Sequence, residues 1–181
     1  GPEPGFSANI SVVGGGSDYG LTFGFHPDAT DGFDTGIDLY APPAPPPPAF
    51  DAALGWEGDR YYAQILAWDG DYSEHEYDIL LAYDTDNLIT VSWDNTGWGD
   101  LMSSCMLQDA FGGAMFTVDM LANNSHILDN PAFTTLKLKV TPNDYSHNSV
   151  PIVGIPSYPA DLSLDIDFSE PSGNNYLDAE E

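Results

Sequence analysis

The sequence predicts an all-β protein: an antiparallel β-sandwich of the jelly-roll or immunoglobulin-like kind, with an extended C-terminal arm. Two observations lead to this fold class. The chain of 181 residues contains 18 glycines and 15 prolines, which interrupt long helices and favour short strands joined by turns. Between these turns, apolar and polar side chains alternate, as they do in a strand with one buried face.

The alternating and β-branched runs define the strands in chain order. The run at 88–93 places Ile89, Val91 and Trp93 on one face, and the run at 133–140 sets leucines against Lys137 and Lys139. We predict strands at 7–13, 20–25, 60–67, 77–82, 88–93, 104–108, 115–120, 133–140, 150–155 and 161–168. We expect the core to include Ile65, Ile89, Val91, Trp93, Val118, Leu136 and Leu138.

Residues 41–49 are almost all proline and alanine. Proline fixes φ and lacks an amide donor, so this stretch is extended and is excluded from the centre of a sheet. We predict a stiff crossing from one sheet to the other, and the alternative is a docking segment for an aromatic groove. The sandwich domain then covers residues 1–141, and the arm covers 142–181.

The arm contains one regular apolar pattern. Leu162, Leu164, Ile166 and Phe168 alternate with polar residues, which places them on one face of a strand at 161–168. A lone strand of this kind has to pair with a sheet. It is either the last strand of its own sandwich or a strand donated to a neighbouring subunit, which would make a homo-polymer.

Charge excludes two classes of partner. The chain has 29 acidic residues and only three basic ones, Arg60, Lys137 and Lys139, for a net charge of −26. A nucleic-acid backbone needs a basic face, and so does an anionic membrane surface. No apolar stretch has the length of a membrane span. The density of carboxylates points to a salty medium, to cation binding, or to both.

Four aspartates form the first candidate cation site. Asp28, Asp31, Asp34 and Asp38 lie on a glycine-bearing loop, where hard oxygen ligands suit calcium. Their spacing does not match an EF-hand, so the prediction is a calcium site at the edge of the sandwich. The alternative is that these side chains cap turns by accepting hydrogen bonds from nearby amides. A second acidic cluster at 69–78 is expected to be a solvated loop.

Motifs for catalysis are mostly absent. Glu74-His75-Glu76 lacks the second histidine of a zinc protease, and Tyr19 stands where a nucleophile elbow requires glycine. Cys105 lies in an apolar run and is expected to be a buried thiol. We therefore predict that the protein is not an enzyme, with a glycoside-active enzyme as the least favoured alternative.

The order of several short motifs resembles a known domain. Phe23-Gly24, Pro27, the run at 29–34, Asp38 and the prolines at 42–48 come first. Ser92-Trp93-Asp94, Leu107-Gln108-Asp109 and Val118-Asp119-Met120 follow in the same order. Together, over roughly 7–141, they resemble a β-rich domain of large bacterial proteins exported by type IX secretion. The resemblance implies an extracellular module without assigned chemistry.

These observations predict a secreted, non-catalytic structural protein. We expect it to assemble by strand donation into an extracellular fibre or as a subunit on the cell surface. The alternative is a calcium-dependent carbohydrate-binding module that contacts polysaccharide through Trp98 and Trp56. Trp98 lies in a glycine-flanked loop and is expected to be exposed.

Overall fold

The computed structural model describes residues 5–143, and they form an all-β fold, as expected. The strands are β1 (Phe6–Gly14), β2 (Ser17–His26), β3 (Leu39–Tyr40), β4 (Asp51–Trp56), β5 (Asp59–Ala67), β6 (His75–Ala82), β7 (Ile89–Trp93), β8 (Met102–Asp109), β9 (Thr117–Asp119), β10 (Ser125–Leu128) and β11 (Thr135–Pro142). One helical turn, α1 (Trp98–Leu101), lies between β7 and β8. The predicted strands at 150–155 and 161–168 lie outside the described residues.

The eleven strands of the described residues belong to one sheet. Its order is β10-β7-β1-β2-β5-β4-β6-β11-β8-β9, and β3 pairs with β5. The pairing of β2 with β5 is parallel, and the other pairings are antiparallel. The sheet curves into a nearly closed barrel. The expected sandwich of two purely antiparallel sheets is therefore corrected, because a continuous ladder joins the strands into one mixed sheet.

The inward faces of the strands make one aromatic-rich core. Phe23 packs edge-on against Tyr77 and Trp98, with ring centroids 5.5 and 5.8 Å apart. Such edge-to-face pairs add to the stabilisation from burial. Of the predicted core, Ile65, Ile89, Val91, Trp93, Leu136 and Leu138 are buried. Val118 is half-buried and packs against the core.

Two polar side chains among these buried residues differ in their hydrogen bonding. The Tyr77 hydroxyl donates to the carbonyl of Gly24 at 2.6 Å. Gln64 is only 2% exposed, and neither its amide nitrogen nor its amide oxygen has a partner among residues 5–143. A buried polar group without a partner costs free energy, so we expect Gln64 to lower the stability of the fold.

The polyproline segment connects β3 to β4, and both of these strands pair with β5. It is thus a crossing within one sheet, which corrects the expected passage between two sheets. Arg60 on β5 fixes the segment's start by donating from Nε to the Pro42 carbonyl at 2.9 Å. The same guanidinium pairs with Asp51 at 2.8 Å, and Asp51 is only 3% exposed.

Candidate functional site

The aspartate loop, residues 28–38, lies along one side of β5. Asp38 accepts a hydrogen bond from the Ile65 amide at 2.7 Å, and Asp31 accepts one from the Ala67 amide at 3.1 Å. Both amides come just after Ala63, where the pairing of β3 with β5 ends. Two carboxylates therefore accept from β5 amides beyond the point where β3 stops pairing with β5.

The same loop is closed by hydrogen bonds within itself. Asp34 accepts from the Thr30 amide at 2.7 Å and from the Thr30 hydroxyl at 2.9 Å. The amide of Asp34 donates to Asp38 at 2.8 Å. Burial raises the pKa of Asp38 above its ordinary value, although the amides of Ile65 and Asp34 oppose the shift. These contacts are the turn-capping arrangement that the sequence left as an alternative.

The four aspartates of the predicted calcium site have separate partners. Asp31, Asp34 and Asp38 accept hydrogen bonds from amide and hydroxyl groups, and the Asp28 side chain is exposed. Within residues 5–143 no group of three or more histidine, cysteine, aspartate or glutamate side chains is arranged to hold a metal ion. Calcium binding therefore stays a prediction for experiment.

The second acidic cluster is partly neutralised by the lysines of β11. Lys137 contacts Asp78 at 2.7 Å and Glu76 at 3.1 Å, and Lys139 lies 4.0 Å from Glu76. With Arg60 paired to Asp51, each of the three basic residues of the chain has a carboxylate partner. The described surface therefore offers no uncommitted lysine or arginine to an anionic ligand.

The tryptophans chosen for carbohydrate stacking lie deeper than expected. Trp98 is 1% exposed because α1 packs its ring against Phe23, so the expectation of an exposed Trp98 is wrong. Trp56 is half-buried against the core. The more exposed aromatic pair is Phe33 with Tyr40, whose rings stack on each other at 4.0 Å. Periodicity did not single out this pair.

Cys105 is fully buried, as expected. Its sulfur lies 3.6 Å from the Met120 sulfur, and burial raises the pKa of the thiol well above its ordinary value. A thiol of this kind packs as a small apolar group.

The two ends of the sheet form the other candidate site. In the described part of the chain, β9 and β10 each pair with a strand on one side only. Three side chains near these edges are the most exposed large apolar groups of the described residues: Phe111 at 71%, Met115 at 67% and Ile127 at 61%. The rings of Phe116 and His126 lie 4.4 Å apart and bring the two edges together.

The predicted assembly residues Leu162, Leu164, Ile166 and Phe168 lie outside the described residues. Among residues 5–143 no helix has the length and apolar character that crossing a membrane requires. No protein-family model, curated protein or solved structure matches the chain. Function is therefore argued from the site geometry and the sequence.

Proposed function

We propose that this chain is a secreted, non-catalytic structural protein that polymerises outside the cell by strand donation. Residues 161–168 of one subunit add to the free edge of β10 or β9 in the next subunit. The observation that supports the proposal most directly is the nearly closed barrel, whose sheet ends in two strands that lack a partner on one side.

An open edge invites a further strand because its unpaired amide and carbonyl groups gain hydrogen bonds. The apolar side chains near the edges, Phe111, Met115 and Ile127, suit a strand with one apolar face. Residues 161–168 have such a face, formed by Leu162, Leu164, Ile166 and Phe168. A head-to-tail contact that does not close on itself generates an open filament.

The length of the connecting segment permits donation. Residues 144–160 lie between the last described residue and the candidate strand. At about 3.3 Å per residue they span up to about 55 Å when extended. That reach covers a neighbour's edge and also the chain's own edge, so experiment has to separate the two.

Charge predicts the conditions for assembly. The net charge of −26 opposes contact between copies. Calcium or high salt screens this repulsion, and we include calcium in the proposal as a promoter of assembly. The extracellular location is supported by the acidic composition and by the resemblance to a domain of proteins exported by type IX secretion.

The test uses full-length variants that lack either the donor or the acceptor. Leu164→Asp/Ile166→Asp removes the apolar face of the donor, and Met115→Glu/Ile127→Glu places a charge near each of the two acceptor edges, β9 and β10. We expect the wild type to form filaments in calcium, and neither variant to form them alone. A mixture of the two should give heterodimers and nothing longer, because the intact donor of one variant fills the intact acceptor of the other and both remaining halves are inactive.

Electron microscopy and analytical ultracentrifugation measure these outcomes. Ser163→Asp is the matched control, since it adds charge on the polar face of the same strand. Wild-type protein that stays monomeric at high concentration in calcium and salt would show that the strand serves its own barrel. Filaments of the donor variant would rule out donation through 161–168.

A further inference from the structure

A groove lies over β1, β2 and β7, away from the aspartate loop. Its volume is about 640 Å³, within the range of small-molecule sites. In the strand register, Ser11 on β1 stands between Gly20 on β2 and Ser92 on β7. A Cβ placed on Gly20 would meet no atom within 4 Å, so the missing side chain leaves open space beside the two serines.

Several polar groups in the groove have no partner in the described structure. Asn9 accepts from Thr22 at 2.8 Å through its oxygen, which leaves its amide nitrogen unused. Asp94 accepts from the Thr96 hydroxyl and amide through one oxygen, and its second oxygen is unused. The hydroxyls of Ser11 and Ser92 are also unbonded within residues 5–143. The groove thus presents hydrogen-bond donors and acceptors that are not bonded to each other.

Ile10, Trp93 and Trp98 border the groove, but their side chains are buried, at 1%, 6% and 1% exposed. The open side of the groove is therefore formed by residues on the outer face of the strands. The Trp98 indole nitrogen is buried and has no hydrogen-bond acceptor among the described residues. A groove that presents a few placed polar groups is a common form of small-ligand site.

The charge of the groove limits which ligands it can bind. Hydrogen bonds from Thr96 hold the pKa of Asp94 below its ordinary value, so the groove contains a carboxylate at neutral pH. No basic side chain lines the groove, and all three in the chain are paired elsewhere. Anionic ligands are therefore disfavoured. A carboxylate, an amide and two hydroxyls suit a neutral, hydroxyl-rich molecule, because a hydroxyl donates strongly to a carboxylate.

We propose that this groove binds a neutral saccharide, with Asp94 and Asn9 bonding sugar hydroxyls beside Ser11 and Ser92. The site uses neither Trp56 nor the aspartate loop, and it needs no calcium. It is independent of strand donation, since it lies on β1, β2 and β7 and leaves the edges of β9 and β10 free.

The test fills the groove with a side chain. Gly20→Trp projects an indole on the face of Ser11, because paired residues on neighbouring strands share a face. Gly32→Trp is the matched control, since Gly32 is also exposed and its added Cβ meets only the Thr30 hydroxyl oxygen, at 3.7 Å. The proteins are made in a host that does not glycosylate, because Asn9-Ile10-Ser11 is an N-glycosylation sequon.

Calorimetry and amide chemical shifts are measured with neutral oligosaccharides of glucose, mannose and xylose, in chelator. We expect at least one to bind wild type with a Kd of about 1 mM or tighter and to shift the amides of Ser11, Gly20 and Ser92. Gly20→Trp should weaken binding by at least about tenfold, and Gly32→Trp should not. The proposal is overturned if none of the sugars binds, or if Gly20→Trp binds them as tightly as wild type does.

Discussion

Asp38 shows how a side chain substitutes for backbone in this barrel. Its two oxygens accept the amides of Ile65 on β5 and of Asp34 within the aspartate loop. The side chain is nearly buried, with the residue 8% exposed. Removing it leaves two amides without an acceptor, and buried donors of this kind are costly.

We predict that Asp38→Ala lowers the free energy of unfolding by about 2 kcal/mol. Asp38→Asn should cost about half as much, because its carbonyl oxygen still accepts from Ile65 whereas its NH₂ group cannot accept from Asp34. Urea unfolding measures both. Asp28→Ala is the control on the same loop, with an expected change within about 0.5 kcal/mol. Equal losses at positions 28 and 38 would contradict this role for Asp38.

The pH dependence at Asp38 follows from its raised pKa. The folded state binds the proton more tightly than the unfolded state. The stability that this provides is present below the unfolded pKa, which is about 3.9, and is lost as pH rises through the folded pKa. The stability of wild type relative to Asp38→Asn should therefore increase as pH falls from neutral towards about 4. Urea unfolding at both pH values tests the sign, and a decrease would show that the carboxylate is favoured in the folded state.

At Gln64 we predict a substitution that stabilises the fold. Its amide is buried without partners among the described residues, so an apolar side chain of similar length removes an uncompensated desolvation. We expect Gln64→Met to raise the free energy of unfolding by about 1 kcal/mol. Gln108→Met is the control, because the amide atoms of Gln108 are not both buried and unpartnered. A loss of stability would mean that an internal water satisfies Gln64.

At the scale of elements, Arg60 joins β5 to the polyproline segment and to the start of β4. Arg60 contacts the Pro42 carbonyl and the Asp51 carboxylate. The Asp51 side chain is 5% exposed and the Arg60 side chain 19%. Removing the cation leaves a buried carboxylate unpaired, which is more costly than replacing both partners. The segment's anchoring therefore depends on a pair rather than on either residue alone.

We predict that Arg60→Met lowers the free energy of unfolding by about 3 kcal/mol. Adding Asp51→Asn to that variant should recover part of the loss, because the buried carboxylate is then neutral. A double-mutant cycle followed by thermal or urea unfolding should give a coupling of about 1–3 kcal/mol. Additive losses would show that the two side chains act independently.

Sequence patterns predicted the long strands better than the short ones. Each predicted strand within residues 5–143 corresponds to an observed strand, because the period-two pattern marks a strand with one buried face. The pattern missed β3, β4 and β10. β3 has two residues, β4 is buried at five consecutive positions so that alternation is lost, and β10 exposes Ile127.

The geometry of both candidate sites depends on which strands pair with each other, and the sequence alone does not predict that pairing. The aspartates of the loop were predicted to bind calcium, and their hydrogen bonds to the β5 amides depend on a long-range pairing that the sequence pattern does not contain. The groove was not predicted because it requires Ser11, Gly20 and Ser92 to be adjacent across three strands. Long-range register of this kind is not encoded in the local periodicity of any one strand.

At the scale of the whole molecule, the main feature is the large negative net charge. With a net charge of −26, the folded chain repels itself, and ions that bind only the folded state stabilise it by mass action. Paired basic residues relieve this repulsion only locally, around β5 and β11.

We predict that calcium raises the melting temperature relative to chelator. At ten times its Kd, calcium should add about 1.4 kcal/mol, and millimolar concentrations suit extracellular sites. Scanning calorimetry with sodium chloride at matched ionic strength separates binding from screening. Asp31→Ala and Asp34→Ala should abolish the increment if the aspartate loop holds the ion. Identical melting in calcium, sodium chloride and chelator would refute cation binding.

The position of every basic residue within the sheet also determines how susceptible the folded protein is to trypsin. Trypsin cleaves after lysine and arginine, and only in segments that can extend into its active site. In this chain those residues are Arg60 on β5 and Lys137 and Lys139 on β11. Each of them lies within a paired strand. Cleavage therefore has to wait for the barrel to open. The folded chain should resist trypsin, and digestion after unfolding should release residues 140–181 as one uncut peptide, which mass spectrometry detects. Resistance would thus follow from having almost no cleavage sites and from keeping those few inside the sheet.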